Sequence, residues 1–156
     1  MNTALFNKEV NDFILFANKN KVQMLLVGGG AVNFYGYQRH SSDVDFWISI
    51  SEDNFMRLKN TLIDIGFEID SFPQDVLNGA QNISIKISPI SEIELITNFN
   101  PGCSFDEAYL RRKEIINENL VYPIISLKDL IDSKIKSQRP KDLLDVYELK
   151  RIHRID

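Results

Sequence analysis

One cysteine, five prolines and seven glycines are all that the 156 residues hold of those types. A single cysteine has no internal disulfide partner, which excludes a disulfide scaffold and fits a reducing compartment. That residue, Cys103, follows the turn signal Pro101-Gly102. It reads either as a reactive thiol, which needs an electropositive setting, or as an incidental loop residue. The low glycine and proline content excludes collagen-like and low-complexity chains. No run approaches the ~18 apolar residues of a membrane span. The N-terminal stretch MNTALFNKEVNDF contains acids and lacks a signal peptide's apolar middle. The expected location is the cytoplasm, with no membrane partner. Net positive charge is missing too. The chain carries -4, which argues against broad electrostatic binding to nucleic acid. Only residues 128–154 have a local basic surplus, eight Lys/Arg against five Asp/Glu.

What is present suits a soluble globular protein: 44% hydrophobic and 26% charged residues. The length is that of one domain. An apolar stripe of Phe6, Val10, Phe13, Ile14 and Ala17 predicts a helix from Leu5 to Ala17. Gln23 to Val27 reads as a buried strand running into Gly28-Gly29-Gly30, with a short helix over Ala31 to Tyr37. Asp43 to Ile50 is strongly β in character. Ser51 caps a helix from Glu52 to about Ile65. Asn82 to Ser88 and Glu92 to Thr97 alternate cleanly and predict an antiparallel pair. Capping signals at Ser104-x-x-Glu107 and Ser126-x-x-Asp129 open helices to about Lys113 and Ser137, and Pro140 opens a last one to about Ile152. The expected fold class is α+β. A small mixed β-sheet core over about 22–100 is flanked by helices, and a C-terminal helical part spans about 104–156.

The informative segment is LLVGGGAVNFYGYQRHSSDVDFWI. Residues two apart on a strand share a face, so Asp43 and Asp45 project together while Val44, Phe46 and Ile48 face the core. Two neighbouring carboxylates repel unless a positive group lies between them, and a hard divalent cation such as Mg²⁺ suits that place. Glycines at a helix start let phosphate approach backbone N–H groups. Taken singly, three glycines also make a tight turn, and an Asp-x-Asp pair also makes a solvated strand end.

Together the two signals resemble the signature of the DNA polymerase β-like nucleotidyltransferase superfamily. Val27-Gly28-Gly29-Gly30-Ala31 with Arg39-x-Ser41-x-Asp43-x-Asp45 is similar to the small bacterial nucleotidyltransferases, including type IV toxin-like and abortive-infection-related groups. Ser41 stands where threonine is commoner. The resemblance extends through Leu127-Lys128-Asp129-Leu130-Ile131-x-x-Lys134 and Arg139-x-Lys141-Asp142-x-x-Asp145.

The resemblance implies a third metal-proximal carboxylate on a later strand. Ile93-Glu94-Leu95-Ile96 matches best, so Glu94 is preferred to Glu92, which shares its face. Glu stands where the superfamily more often has Asp. Catalytic and metal residues are thus expected to be Asp43, Asp45 and Glu94, holding two Mg²⁺ ions, with Mn²⁺ as a substitute. Gly28, Gly29, Arg39 and Lys134 are the expected nucleotide-binding residues. Lys134 interrupts an apolar stripe, and reads either as a phosphate contact or as an ion-pair partner of Asp142 or Asp145. Arg39 contacts phosphate or neutralises the acidic cluster. Trp47 stacks a base or packs in the core, while His40 and His153 are too isolated for a zinc site.

The implied reaction moves a nucleoside monophosphate from an NTP, ATP among the four, to a hydroxyl acceptor and releases pyrophosphate. The acceptor is a tRNA, a protein or a small molecule. The rival expectation is an inactive nucleotide- or partner-binding module, such as one component of a toxin–antitoxin pair with a cognate antitoxin.

Overall fold

A computed structural model describes residues 6–40 and 43–156. Leu5 and Ser41 therefore lie outside the described residues. The chain runs α1 (Lys8–Lys19), β1 (Met24–Val27), α2 (Gly28–Phe34), β2 (Asp43–Ile48), α3 (Glu52–Asp64), α4 (Gln74–Leu77), β3 (Ile83–Ser88) and β4 (Ser91–Ile96). It continues with α5 (Phe105–Leu110), β5 (Lys113–Asn117), β6 (Leu120–Ile124), α6 (Leu127–Ser137) and α7 (Pro140–His153). This is the expected α+β class: one six-stranded mixed sheet flanked by helices, with two helices closing the chain. No helix among the described residues is long and apolar enough to cross a membrane.

The strand order is β3-β4-β2-β1-β6-β5. β2 runs antiparallel to β1 and parallel to β4, and β3 pairs antiparallel with β4 as the alternation predicts. Register sorts the side chains. Val44 and Phe46 stand opposite Ile93 and Leu95 on one face, and Asp43 and Asp45 stand opposite Glu92 and Glu94 on the other. The apolar face is covered by α1, whose Phe13 ring lies 6.1 Å from that of Phe46. Asn7 caps α1 by accepting from the Val10 N–H, and Val10, Phe13, Ile14 and Ala17 are its buried stripe.

Several boundaries differ from those expected, for identifiable reasons. The glycines are the first turn of α2 rather than a loop before it, so that helix spans Gly28–Phe34 instead of Ala31–Tyr37. The strand predicted to Ile50 stops at Ile48, because Asn54 bridges the entry to β1 and the exit from β2. Its side chain accepts from Gln23 N–H at 2.7 Å and donates to the carbonyls of Gln23 and Ser49 at 3.0 and 2.7 Å. The helix capped by Ser104 ends at Leu110, not Lys113. From Lys113 the chain forms the β5–β6 hairpin, and β6 joins the sheet beside β1.

Candidate functional site

β2 is short, and its polar end carries the acids. Asp43 and Asp45 are half-buried, while Phe46, Trp47 and Ile48 further along are buried. The register sets Glu94 opposite Asp45 and Glu92 opposite Asp43, all on one face. Glu94 is half-buried and Glu92 exposed. Burial, then the negative charge of Glu94, then that of Asp43 push the Asp45 carboxyl up to about 6, against the opposing pull of Lys134 and Lys141. The Glu94 charge therefore reaches Asp45 across the β2–β4 pair.

The glycines meet this acidic face directly. Gly28 lies between Val27, the partner of Asp45 in the β1–β2 ladder, and the rest of α2. Its φ is +63°, in the left-handed region. A Cβ there would run into the Asp45 carboxylate, closer than real Cβ atoms come. Gly29 is buried behind it, and Val27 offers α2 no side-chain cap. The N–H groups of the first helical turn have no intrahelical acceptors, so this end of α2 has donors to offer.

Lys134 comes from the other side. It is buried on α6 and paired twice, with Asp145 at 2.9 Å and Asp142 at 3.3 Å. Arg39 binds the same Asp145 in a bidentate fork, Nε to Oδ1 and Nη2 to Oδ2, both at 2.9 Å. Asp142 also accepts from the Ser137 hydroxyl at 2.5 Å and from Arg139 Nε at 2.8 Å. Burial works against the Asp142 charge, but Ser137, Lys134 and Arg139 outweigh it and hold that carboxyl below the usual range. The ion-pair reading of Lys134 is thus realised with both aspartates. Arg39 is engaged with α7, and its fork ties the chain beyond α2 to the C-terminal helices.

A cleft of about 550 Å³ joins these parts. Val27, Gly28 and Asp45 line one end, Lys134, Ser137 and Arg139 the α6–α7 side, and Asn82, Asn98, Phe99 and Asn100 the remaining wall. The sequence reading missed that last wall. Its only sequence signal is the Asn-Phe-Asn run after β4, which looks like an ordinary turn. Trp47, the alternative base-stacking residue, packs between Phe99 at 5.0 Å and Phe105 at 5.1 Å and is 4% exposed. It belongs to the core. His153 Nε2 lies 2.6 Å from the Tyr35 carbonyl. Cys103 sits 3.1 Å from Arg111 Nη2, and burial followed by the Asp129 charge raises its thiol pKa, the setting of an unreactive cysteine.

Among the described residues, no three His, Cys, Asp or Glu side chains are gathered as a group able to hold a metal ion. The acids share a face without forming a ready-made cage. Their chemistry still fits Mg²⁺, which takes oxygen ligands and is commonly held by one or two carboxylates plus substrate phosphates.

The model of a protein family described as "Nucleotidyltransferase of unknown function (DUF6036)" matches residues 5–156. No curated protein matches the chain.

Proposed function

The chain belongs to that nucleotidyltransferase family, and from this premise we propose that it is a metal-dependent enzyme of the DNA polymerase β-like superfamily, in the small bacterial toxin-like group. It transfers a nucleoside monophosphate from an NTP to a hydroxyl acceptor. The observation that carries this reading is the cleft in which Asp45 and Gly28 at one end face Lys134 on the α6 side.

Asp45 and Glu94, with Asp43 beside them, would hold the Mg²⁺. When bound, the ion offsets phosphate charge and lowers the pKa of the acceptor hydroxyl. The N–H groups of Gly28 and Gly29 bind phosphate oxygens, which the absence of a side chain at residue 28 allows to come close. Lys134 supplies a buried positive charge for the triphosphate, and Asp142 and Asp145 fix its position. Arg39, locked on Asp145, ties the chain beyond α2 to α7. The acceptor oxygen attacks the α-phosphorus, the bond to the α,β-bridging oxygen breaks, and pyrophosphate leaves. Glu94 takes the hydroxyl proton. Most of the rate advantage comes from positioning and charge complementarity.

The test is incubation with each α-labelled NTP, Mg²⁺ and a cell extract. One NTP should label a tRNA, protein or small-molecule acceptor with matching pyrophosphate release, and Asp45→Asn should do neither. Transfer at the native rate in Asp45→Asn refutes the site.

A second reading has one observation in its favour, the lack of a gathered three-acid group among the described residues. In it the chain is a catalytically inactive module that binds nucleotide or a partner, such as one component of a toxin–antitoxin pair. Nucleotide binding with no pyrophosphate release from any NTP, in extract or alone, selects it.

A further inference from the structure

We propose that the asparagine wall of the cleft reads the nucleobase and favours an edge rich in carbonyl oxygens, so that uracil and guanine nucleotides bind in preference to adenine. The inference rests on the nucleotide-binding reading above and deepens it. The wall consists of Asn82 ahead of β3 and Asn98, Phe99 and Asn100 beyond β4.

Two of the amides have a fixed orientation. Asn82 Oδ1 accepts from the Thr97 backbone N–H at 2.9 Å, and Asn100 Oδ1 accepts from the Gly102 N–H at 2.9 Å. A backbone N–H only donates, so in each amide the oxygen must face it. Each NH₂ is left without a protein partner among the described residues, on a side chain that lines the cleft. Phe99 lies between these asparagines in sequence. Its half-buried ring is backed by Trp47 at 5.0 Å, and Trp47 is held edge-on by Phe105. A supported aromatic ring is a stacking platform for any base, and hydrogen-bonding groups beside it decide which base.

The α6–α7 side of the cleft has different chemistry. Lys134, Lys136 and Arg139 outnumber Asp142 there, which leaves a net positive charge suited to phosphate. A cleft with a cationic side and a neutral, aromatic, amide-bearing side matches the two ends of a nucleotide. Its volume of about 550 Å³ lies in the usual range for small-molecule sites. Selectivity follows from the donor character of the fixed NH₂ groups. Uracil presents two carbonyl acceptors, and guanine presents O6 beside N7. Where guanine has O6 and uracil O4, adenine carries its N6 amino group, and there a donor would meet donors.

The experiment measures binding of α,β-methylene analogues of ATP, GTP, CTP and UTP, and of inorganic tripolyphosphate, to the whole chain with Mg²⁺. The UTP or GTP analogue should bind about tenfold more tightly than the ATP analogue, the effect of one or two well-made hydrogen bonds. Asn82→Asp and Asn100→Asp keep the oxygen that the backbone N–H needs but replace the donor edge with an acceptor. Each should flatten or invert the ratio, a change that a merely structural role would not produce. Equal or tighter binding of the ATP analogue overturns the inference, as does an unmoved ratio in both variants. If tripolyphosphate and all four analogues bind alike, base reading fails while the nucleotide site stands. If neither tripolyphosphate nor any analogue binds, both fail.

Discussion

Gly28 and Asp45 constrain each other at the level of single atoms. The left-handed φ of Gly28 penalises any side chain, by about 1–2 kcal/mol for an L-residue. Here the added Cβ would also displace the Asp45 carboxylate. Gly28→Ala is therefore expected to lose about 2 kcal/mol of stability and a disproportionate share of nucleotide transfer, read by denaturant unfolding and pyrophosphate release on the same preparation. Asp45 carries a pH signature as well. Its carboxyl titrates near 6 in the folded chain against 3.8 ordinarily. Between those values the folded state holds a proton that the unfolded state has released. The stability associated with this proton is complete below 3.8 and is lost as pH rises through 6. Asp45→Asn removes the loss, so with chelator present the variant should be the more stable at pH 8. The difference should close at pH 4. A native chain at least as stable as the variant at pH 8 contradicts the sign.

At the level of elements, the buried ion-pair chain joins α6 and α7 to Arg39, beyond α2. Asp145 is 1% exposed and has two cationic partners, Arg39 and Lys134. Asp145→Ala leaves Lys134 with Asp142 alone and strips Arg39 of its fork, and breaking a buried pair from one side costs about 3–5 kcal/mol. The expected loss is about 3 kcal/mol, because the Arg39 side chain is 17% exposed and finds some water. Arg39→Ala should then cost less in the Asp145→Ala background than in the native chain, a non-additivity that a double-mutant cycle measures. The same elements show what was legible beforehand. Period-two alternation pairs Asp43 with Asp45 on one strand and Glu92 with Glu94 on another, only the family resemblance joins the two sets, and β2 and β4 do lie side by side. Lys134 was recognisable because it breaks an apolar stripe. The β5–β6 hairpin was not legible. Lys113–Asn117 forms an edge strand that exposes both polar and apolar residues, and Pro123 within β6 lacks the N–H that marks an ordinary strand interior. The asparagine wall was hidden for another reason. Its residues come from two loops brought together by strand pairing, and isolated asparagines in loops carry no periodicity.

The core under α1 and the candidate site lie on opposite faces of one sheet. The apolar face packs under α1, where Phe13 is fully buried against Phe46. The polar face bears the acids and the cleft. A large-to-small change on the first face should alter folding without altering the site. Phe13→Ala removes a buried ring, a change worth about 3–5 kcal/mol, against a total of about 5–15 kcal/mol for a domain of ordinary stability. Well below its lowered melting temperature, this variant should bind the preferred NTP analogue with native affinity and transfer from the corresponding NTP at the native rate per folded molecule. Asp43→Asn makes the reverse change. It removes one negative charge from a half-buried position on the polar face and takes nothing from the core. Its melting temperature should fall far less than that of Phe13→Ala, while Mg²⁺-dependent transfer disappears. Thermal melts and pyrophosphate release measured on both variants test the division directly. Loss of catalysis in folded Phe13→Ala, or native transfer in Asp43→Asn, would mean that the two faces do not act independently.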